Sequence, residues 1–259
     1  MITFFNLILY LFMSCLLAAS PPKEIPADLY EEYTMYLQVP VRPYYLDNSY
    51  SASQGIIYST EEINQYIDKV TRREVGYYGT TDLFLYSLLD KYPWCIKDKC
   101  VGIIGSTIPW YESIIIAYGG HPITIEYNKI VREDARLKIM TVEEFDQNPI
   151  QFDTLLSISS IEHDGLGRYG DPIDPHGDIK AMHKMKTMLK EGGLLILAVP
   201  VGKDTLFWNA HRIYGQMRLP LLLKEWEVVD SCGFSETDFT WENYGEHQPV
   251  FVLKSLRER

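Results

Sequence analysis

From Val101 onward the chain alternates short apolar runs with amphipathic stretches, and this constrains the fold more than any other feature of the sequence. Val101-Gly102-Ile103-Ile104-Gly105 has the length and closing glycine of a buried strand. Trp110 to Tyr118 reads as a helix stopped by Gly119-Gly120, and Pro122 to Glu126 as a second strand ending in an acid. A weaker third strand spans Leu137 to Val142, and a fourth runs from Phe152 to Ser159. Asp178 to Leu189 forms an amphipathic helix with Met182, Met185 and Leu189 inward, closed by Gly192-Gly193. Leu194 to Val199 is the fifth strand; Trp226–Val229 and Val250–Leu253 follow a helical stretch at Leu219–Leu223. Such alternation predicts an α/β fold: a Rossmann-like, doubly wound, mostly parallel seven-stranded sheet. Ligands of such sheets bind at the carboxyl ends of the strands.

Upstream, residues 21–90 are predicted to form an N-terminal arm and helical extension. Residues 21 to about 58 are rich in Pro and Tyr without a clear period, as an extended arm would be. Ser59-Thr60-Glu61-Glu62 is a capping-box pattern ahead of Ile63, Ile67 and Val70. A second helix starts at Thr81-Asp82, turns Leu83, Phe84, Leu88 and Leu89 inward, and ends before Pro93.

Residues 1–20 are charge-free, apolar from Ile2 to Ala19 apart from Thr3, Asn6 and Ser14, and end in small residues. They read as a signal peptide or a short signal anchor, which sends the body to the secretory pathway, secreted or held by one membrane segment. No Asn-x-Ser/Thr sequon is present. Among Cys95, Cys100 and Cys232, a Cys95–Cys100 disulfide and three reduced thiols are equally compatible with the spacing. The net charge of −11 argues against phosphate-backbone binding as the main task and fits small-molecule or protein partners.

Gly105 and Glu126 stand about twenty residues apart, the spacing of a nucleotide-binding turn and a ribose-binding acid. Phe152-Asp153-Thr154-Leu155-Leu156-Ser157, Ile161-Glu162-His163, Leu189-Lys190-Glu191-Gly192-Gly193-Leu194-Leu195-Ile196 and Trp226-Glu227-Val228-Val229-Asp230 with Gly233-Phe234 resemble, in that order, the class I S-adenosylmethionine-dependent methyltransferases. That resemblance covers about Lys91 to Lys254, within a domain of residues 91–259. More narrowly, Ile104-Gly105-Ser106 with Pro109-Trp110, Glu162 to Pro172, and Trp208 to Gly215 resemble an uncharacterised nematode-enriched family, domain of unknown function 268.

The resemblance implies S-adenosylmethionine as cofactor, held by Gly105, Ser106, Glu126 and Ser159, and a methyl acceptor that is a small molecule or a glycan. The sequence departs from the superfamily's first motif: Ile103 stands at its acid position and Thr107 at its second glycine. These departures keep a second class open, a non-catalytic binding or structural protein that retains the fold without the cofactor. A nicotinamide-dependent oxidoreductase is a third option, opposed by the absence of Gly-x-Gly-x-x-Gly.

The segment His163 to Asp178 gathers two His, four Asp, one Arg and four Gly just after the fourth strand. Catalytic candidates are His163 or His211 as a general base, with Asp164 orienting it. Arg168 and Arg212 suit a substrate carboxylate or phosphate, with Tyr169 and Trp208 as pocket walls. A metal site from His163, Asp164, His176 and Asp178 matches no defined ligand spacing, and no metal is assigned. The plain alternative is an ordered loop that uses Asp and Gly for turns and caps.

Overall fold

The structure, a computed structural model, describes residues 20–48 and 55–256. The apolar segment read as a signal or anchor therefore lies, up to residue 19, outside the described residues. Among the described residues no helix is long and apolar enough to cross a membrane.

Seven strands form the central sheet: β1 (Cys100–Ile104), β2 (His121–Glu126), β3 (Lys138–Thr141), β4 (Phe152–Ile158), β5 (Leu189–Ala198), β6 (Trp226–Cys232) and β7 (Val250–Ser255). Their spatial order is β6-β7-β5-β4-β1-β2-β3. The first five are mutually parallel, while β7 runs antiparallel to both β5 and β6. All seven predicted strands are present, and with helices on both faces this is the Rossmann-like fold of the class I methyltransferases.

The strand pattern explains the two-sided core. Leu194, Ile196 and Ala198 of β5 point to one face, where they meet Leu85, Leu89, Trp110 and Ile114. Leu195 and Leu197 point to the other, against Met182, Met185, Leu219 and Leu222. The helical part of the extension joins this core: Val70 and Leu85 belong to the first cluster. The helix Thr60–Thr71 starts as predicted, with the Ser59 hydroxyl accepting the Glu62 amide.

Three details differ from expectation. Leu83 is solvent-exposed; the helix Thr80–Lys91 turns Leu85, Tyr86, Leu88 and Leu89 inward instead. Leu189 does not close the preceding helix, which ends at Met188. It opens β5 by pairing with Phe152, and the ladder then skips until Thr154 meets Leu194, so the Gly192-Gly193 turn bulges from a strand. The arm is not featureless: Val41–Tyr44 pairs in parallel with Thr205–Asn209, which hairpins with His211–Ile213 into a second sheet. Ile56–Tyr58 likewise pairs with Ile130–Arg132. Cys95, Cys100 and Cys232 are all free, so the Cys95–Cys100 disulfide does not form.

Candidate functional site

The carboxyl ends of β1, β2 and β4 open into a cavity of about 350 Å³, within the range of small-molecule sites. Gly105, Ser106 and Thr107 enter it from the turn after β1, Glu126 and Tyr127 from the end of β2, and Ser159 and Ser160 from the end of β4.

Gly105 has a φ of +70°, and a side-chain carbon there would collide with the Ser160 hydroxyl. Only glycine lets the turn lie so close to the neighbouring strand end. Glu126 is buried and binds that turn directly. Its Oε2 accepts the Ser106 amide at 2.9 Å, and its Oε1 accepts the Tyr127 and Asn128 amides at 2.9 and 3.3 Å. A carboxylate offers about four acceptor positions, so one is left for a ligand hydroxyl. Burial pushes the Glu126 carboxyl above its ordinary range, and the three amides pull it back. Ser106 presents backbone to the cavity, because its hydroxyl is engaged behind by Tyr58 at 3.1 Å and Glu112 at 3.2 Å.

The far wall comes from the loop after β4 and the helix Gly177–Met188. His163 lines the cavity, and its Nδ1 donates to the Ala210 carbonyl at 2.6 Å, so Nε2 carries the lone pair. The group that orients His163 is thus Ala210 rather than Asp164. Burial, reinforced by Arg168, lowers His163 to about 3, which makes it a neutral acceptor. Asp164 also faces the cavity, its carboxyl raised well above its ordinary value by burial and by Asp171. Asp171 is consumed by the loop: it accepts the Gly165, Gly167 and Tyr169 amides at 2.7, 3.0 and 3.2 Å.

Of the candidates, Gly105, Ser106, Glu126, Ser159, His163, Asp164 and Tyr169 line this cavity, and Arg168, Arg212, His211 and Trp208 do not. Arg212 is buried and spends its guanidinium on backbone carbonyls, above all that of Asp164 at 2.6 Å, so it is not available to a substrate anion. Arg168 is held by Asn48 at 2.8 Å and lies over the Tyr169 ring. Trp208 packs edge-on against Tyr33 and donates to the Pro22 carbonyl, fixing the arm. His211 sits behind His163, with ring centroids 6.2 Å apart, against Phe207 and Tyr44.

The metal alternative does not assemble either. Asp178 is taken by Arg218, and His176 is exposed beside Glu32. Among the described residues no three candidate ligands converge. The sequence did not single out Tyr77, Tyr78 and Tyr111, which line the cavity from the extension and the helix after β1, with Tyr78 and Tyr111 stacked at 6.5 Å.

A family model described as "Caenorhabditis protein of unknown function, DUF268" matches residues 98–247, more than half of the chain, from β1 to the approach to β7. The chain belongs to this family. No curated protein sequence matches it. Among solved structures, the DUF268 chain is similar to the 1,6-didemethyltoxoflavin-N1-methyltransferase of Burkholderia thailandensis, a structure with 1,6-didemethyltoxoflavin and S-adenosylhomocysteine bound. The TM-score is 0.53 at 13% identity, covering 83% of this chain and 93% of that one. The CcbJ methyltransferase of Streptomyces caelestis aligns with a TM-score of 0.41 at 10% identity, over 68% and 88% of the two chains. At 13% identity the likeness to the Burkholderia structure shows the shared fold alone.

Proposed function

We propose that this DUF268 protein is an S-adenosylmethionine-dependent methyltransferase of the secretory pathway that acts on a small molecule or a glycan. The observation that carries the reading is the convergence of Gly105, Glu126 and Ser159, from the ends of three adjacent parallel strands, on one cavity. These residues fit the cofactor: the glycine turn admits close approach, and the buried Glu126 keeps one acceptor position for a ribose hydroxyl. Bound there, the cofactor would supply an electrophilic methyl group. The Burkholderia relative, which holds S-adenosylhomocysteine on the same fold, supports the assignment. Placement in the secretory pathway rests on the charge-free residues 1–20.

A second reading, a binding protein without the cofactor, is favoured by Ile103 and by Thr107, whose side chain stands at the cavity where a second glycine would leave room. Calorimetric titration of the full chain with S-adenosylmethionine and S-adenosylhomocysteine separates the two. Micromolar binding lost in Glu126→Ala is the expected result. An absence of binding at millimolar ligand selects the second reading.

A further inference from the structure

Ser159, the residue after β4, has a left-handed conformation, with φ +49°, that side-chain-bearing residues seldom adopt. The conformation places its hydroxyl at the centre of a small polar cluster beneath the cavity wall. The Ser159 hydroxyl donates to Glu162 Oε1 at 2.6 Å and accepts from Gln248 Nε2 at 3.0 Å. Because the Gln248 amide can only donate, the serine proton is directed at Glu162. Gln248 is itself fixed by the Gly245 carbonyl at 3.0 Å.

Glu162 is almost fully buried, and its Oε2 has no hydrogen-bond partner; Gln248 Oε1 and His211 Nε2 are likewise unpartnered. A buried carboxyl with one oxygen tied to a cavity-lining serine and the other free is costly unless it has a task. His163 Nε2 lies 3.5 Å from Glu162 Oε1 on the cavity side.

We propose that Ser159 and Glu162 form the proton exit of the methyl-transfer site, and that the methyl acceptor is consequently a neutral O–H or N–H group bound among Tyr77, Tyr78 and Tyr169. This rests on the methyltransferase reading above and specifies its acceptor. In the step, the acceptor oxygen or nitrogen bonds to the methyl carbon as the methyl–sulfur bond breaks, and sulfur keeps the electron pair. The acceptor's proton passes to Ser159 Oγ while the Ser159 proton passes to Glu162, so charge and protons balance. Ser159 is the group that touches the acceptor; Glu162 acts through it as a positioning residue and proton sink. His163, held neutral, accepts no proton in this scheme.

The surroundings agree. Burial raises Glu162 to about 7, against its hydrogen bond from Ser159 and the cations Arg168 and Arg212. A base works best when it titrates near the working pH. The other titratable groups facing it are His163 from the same turn, Tyr78 from the extension, Tyr169 and Asp164 from the following loop, and Tyr214 from the segment after the small hairpin. None of the cavity's cations is free for an anionic acceptor: Lys180 pairs with Asp174, and Lys184 with Asp146 at 2.6 Å.

The test needs no knowledge of the acceptor. Sinefungin carries an amine where the transferring methyl group stands, and S-adenosylhomocysteine does not. The full chain is titrated calorimetrically with each at pH 6, 7 and 8. The sinefungin amine stays protonated over that range, so its affinity follows ionisation of Glu162 through Ser159. Relative to S-adenosylhomocysteine, sinefungin should gain about tenfold from pH 6 to pH 8, the change in ionised fraction of a group titrating near 7. The gain should vanish in Glu162→Gln and Ser159→Ala and persist in Glu112→Gln, which titrates in the same range but lies behind Ser106. A ratio that is flat with pH, or a rise that survives both substitutions, overturns the proposal while leaving the methyltransferase reading intact. Failure of S-adenosylhomocysteine to bind the unmodified chain overturns that reading itself. Should a variant not fold, the pH series on the unmodified chain still decides.

Discussion

Arg218 grips Asp178 through two nitrogens, Nε on Oδ2 at 2.9 Å and Nη2 on Oδ1 at 2.6 Å, with both side chains buried. Tyr214 donates to the same Oδ2 at 3.0 Å. The pair ties the helix Gly177–Met188, which walls the cavity, to the segment after the small hairpin. Removing one partner leaves a buried charge uncompensated, so Arg218→Ala should cost about 3–5 kcal/mol, measured by denaturant unfolding. Lys180→Ala, which breaks a largely exposed pair with Asp174, should cost under about 1 kcal/mol. Equal losses would show that the buried pair has no special weight.

Acid should act on the same contact. The cations Arg212 and Arg218 hold the Asp178 carboxyl below its ordinary range despite burial. A carboxylate depressed in the folded state stabilises above its unfolded value and loses that contribution as pH falls. Unfolding midpoints of the unmodified chain and Asp178→Asn should therefore differ most above about pH 4 and converge below it. A constant gap from pH 7 to pH 3 would contradict the assignment.

Glu112 predicts the opposite slope. Burial raises it to about 7, against hydrogen bonds from Thr124 at 2.6 Å and Ser106. From roughly pH 4.3, where the unfolded chain gives up this proton, to about 7, folding keeps it bound, so rising pH destabilises the folded state through this group. His163 and His211, held neutral at about 3 and about 4, oppose that trend below about pH 6.5 in the unmodified chain. The clean measurement is thus a difference: Glu112→Gln should gain stability relative to the unmodified chain between pH 5 and pH 7.5. A pH-independent difference would place Glu112 outside this scheme.

Two glycines separate conformation from contact. Gly165 and Gly192 both have left-handed φ, +82° and +75°. A side chain at Gly165 would run into the Asp174 carbonyl, whereas at Gly192 it meets open space. Gly192→Ala should cost about 1–2 kcal/mol, the strain alone. Gly165→Ala should cost clearly more, and it should also disturb ligand binding, because Asp171 and the loop amides must move with it. Thermal unfolding and S-adenosylhomocysteine titration of both variants check this.

The strands at the centre of the sheet were legible because they are apolar runs of ordinary length bounded by turn residues, whereas the edge strand Lys138–Thr141 gave a weaker signal. The arm's pairing was not: Val41–Tyr44 contains Pro43 and is half exposed, and Ile56–Tyr58 is three residues long. For the site, Gly105 and Glu126 were readable from strand-end topology and spacing, and Ser159 from the family resemblance. Arg212 and Trp208 misled because a lone sequence does not tell an arginine bound to carbonyls from one awaiting an anion. Glu162 was visible within Ile161-Glu162-His163, but its burial is a tertiary fact. Gln248 carries no local signal at all.

The parallel pairing of Val41 with Leu206 joins positions 165 residues apart. At ordinary elongation rates the ribosome needs roughly ten to thirty seconds to deliver the second after the first. For that interval the arm's edge has no mate, and its exposed neighbours Tyr36 and Leu37 stand beside unpaired backbone. The nascent chain is therefore most vulnerable to off-pathway association before the Thr205–Ile213 hairpin emerges, and closing that small sheet is a late event in its biogenesis.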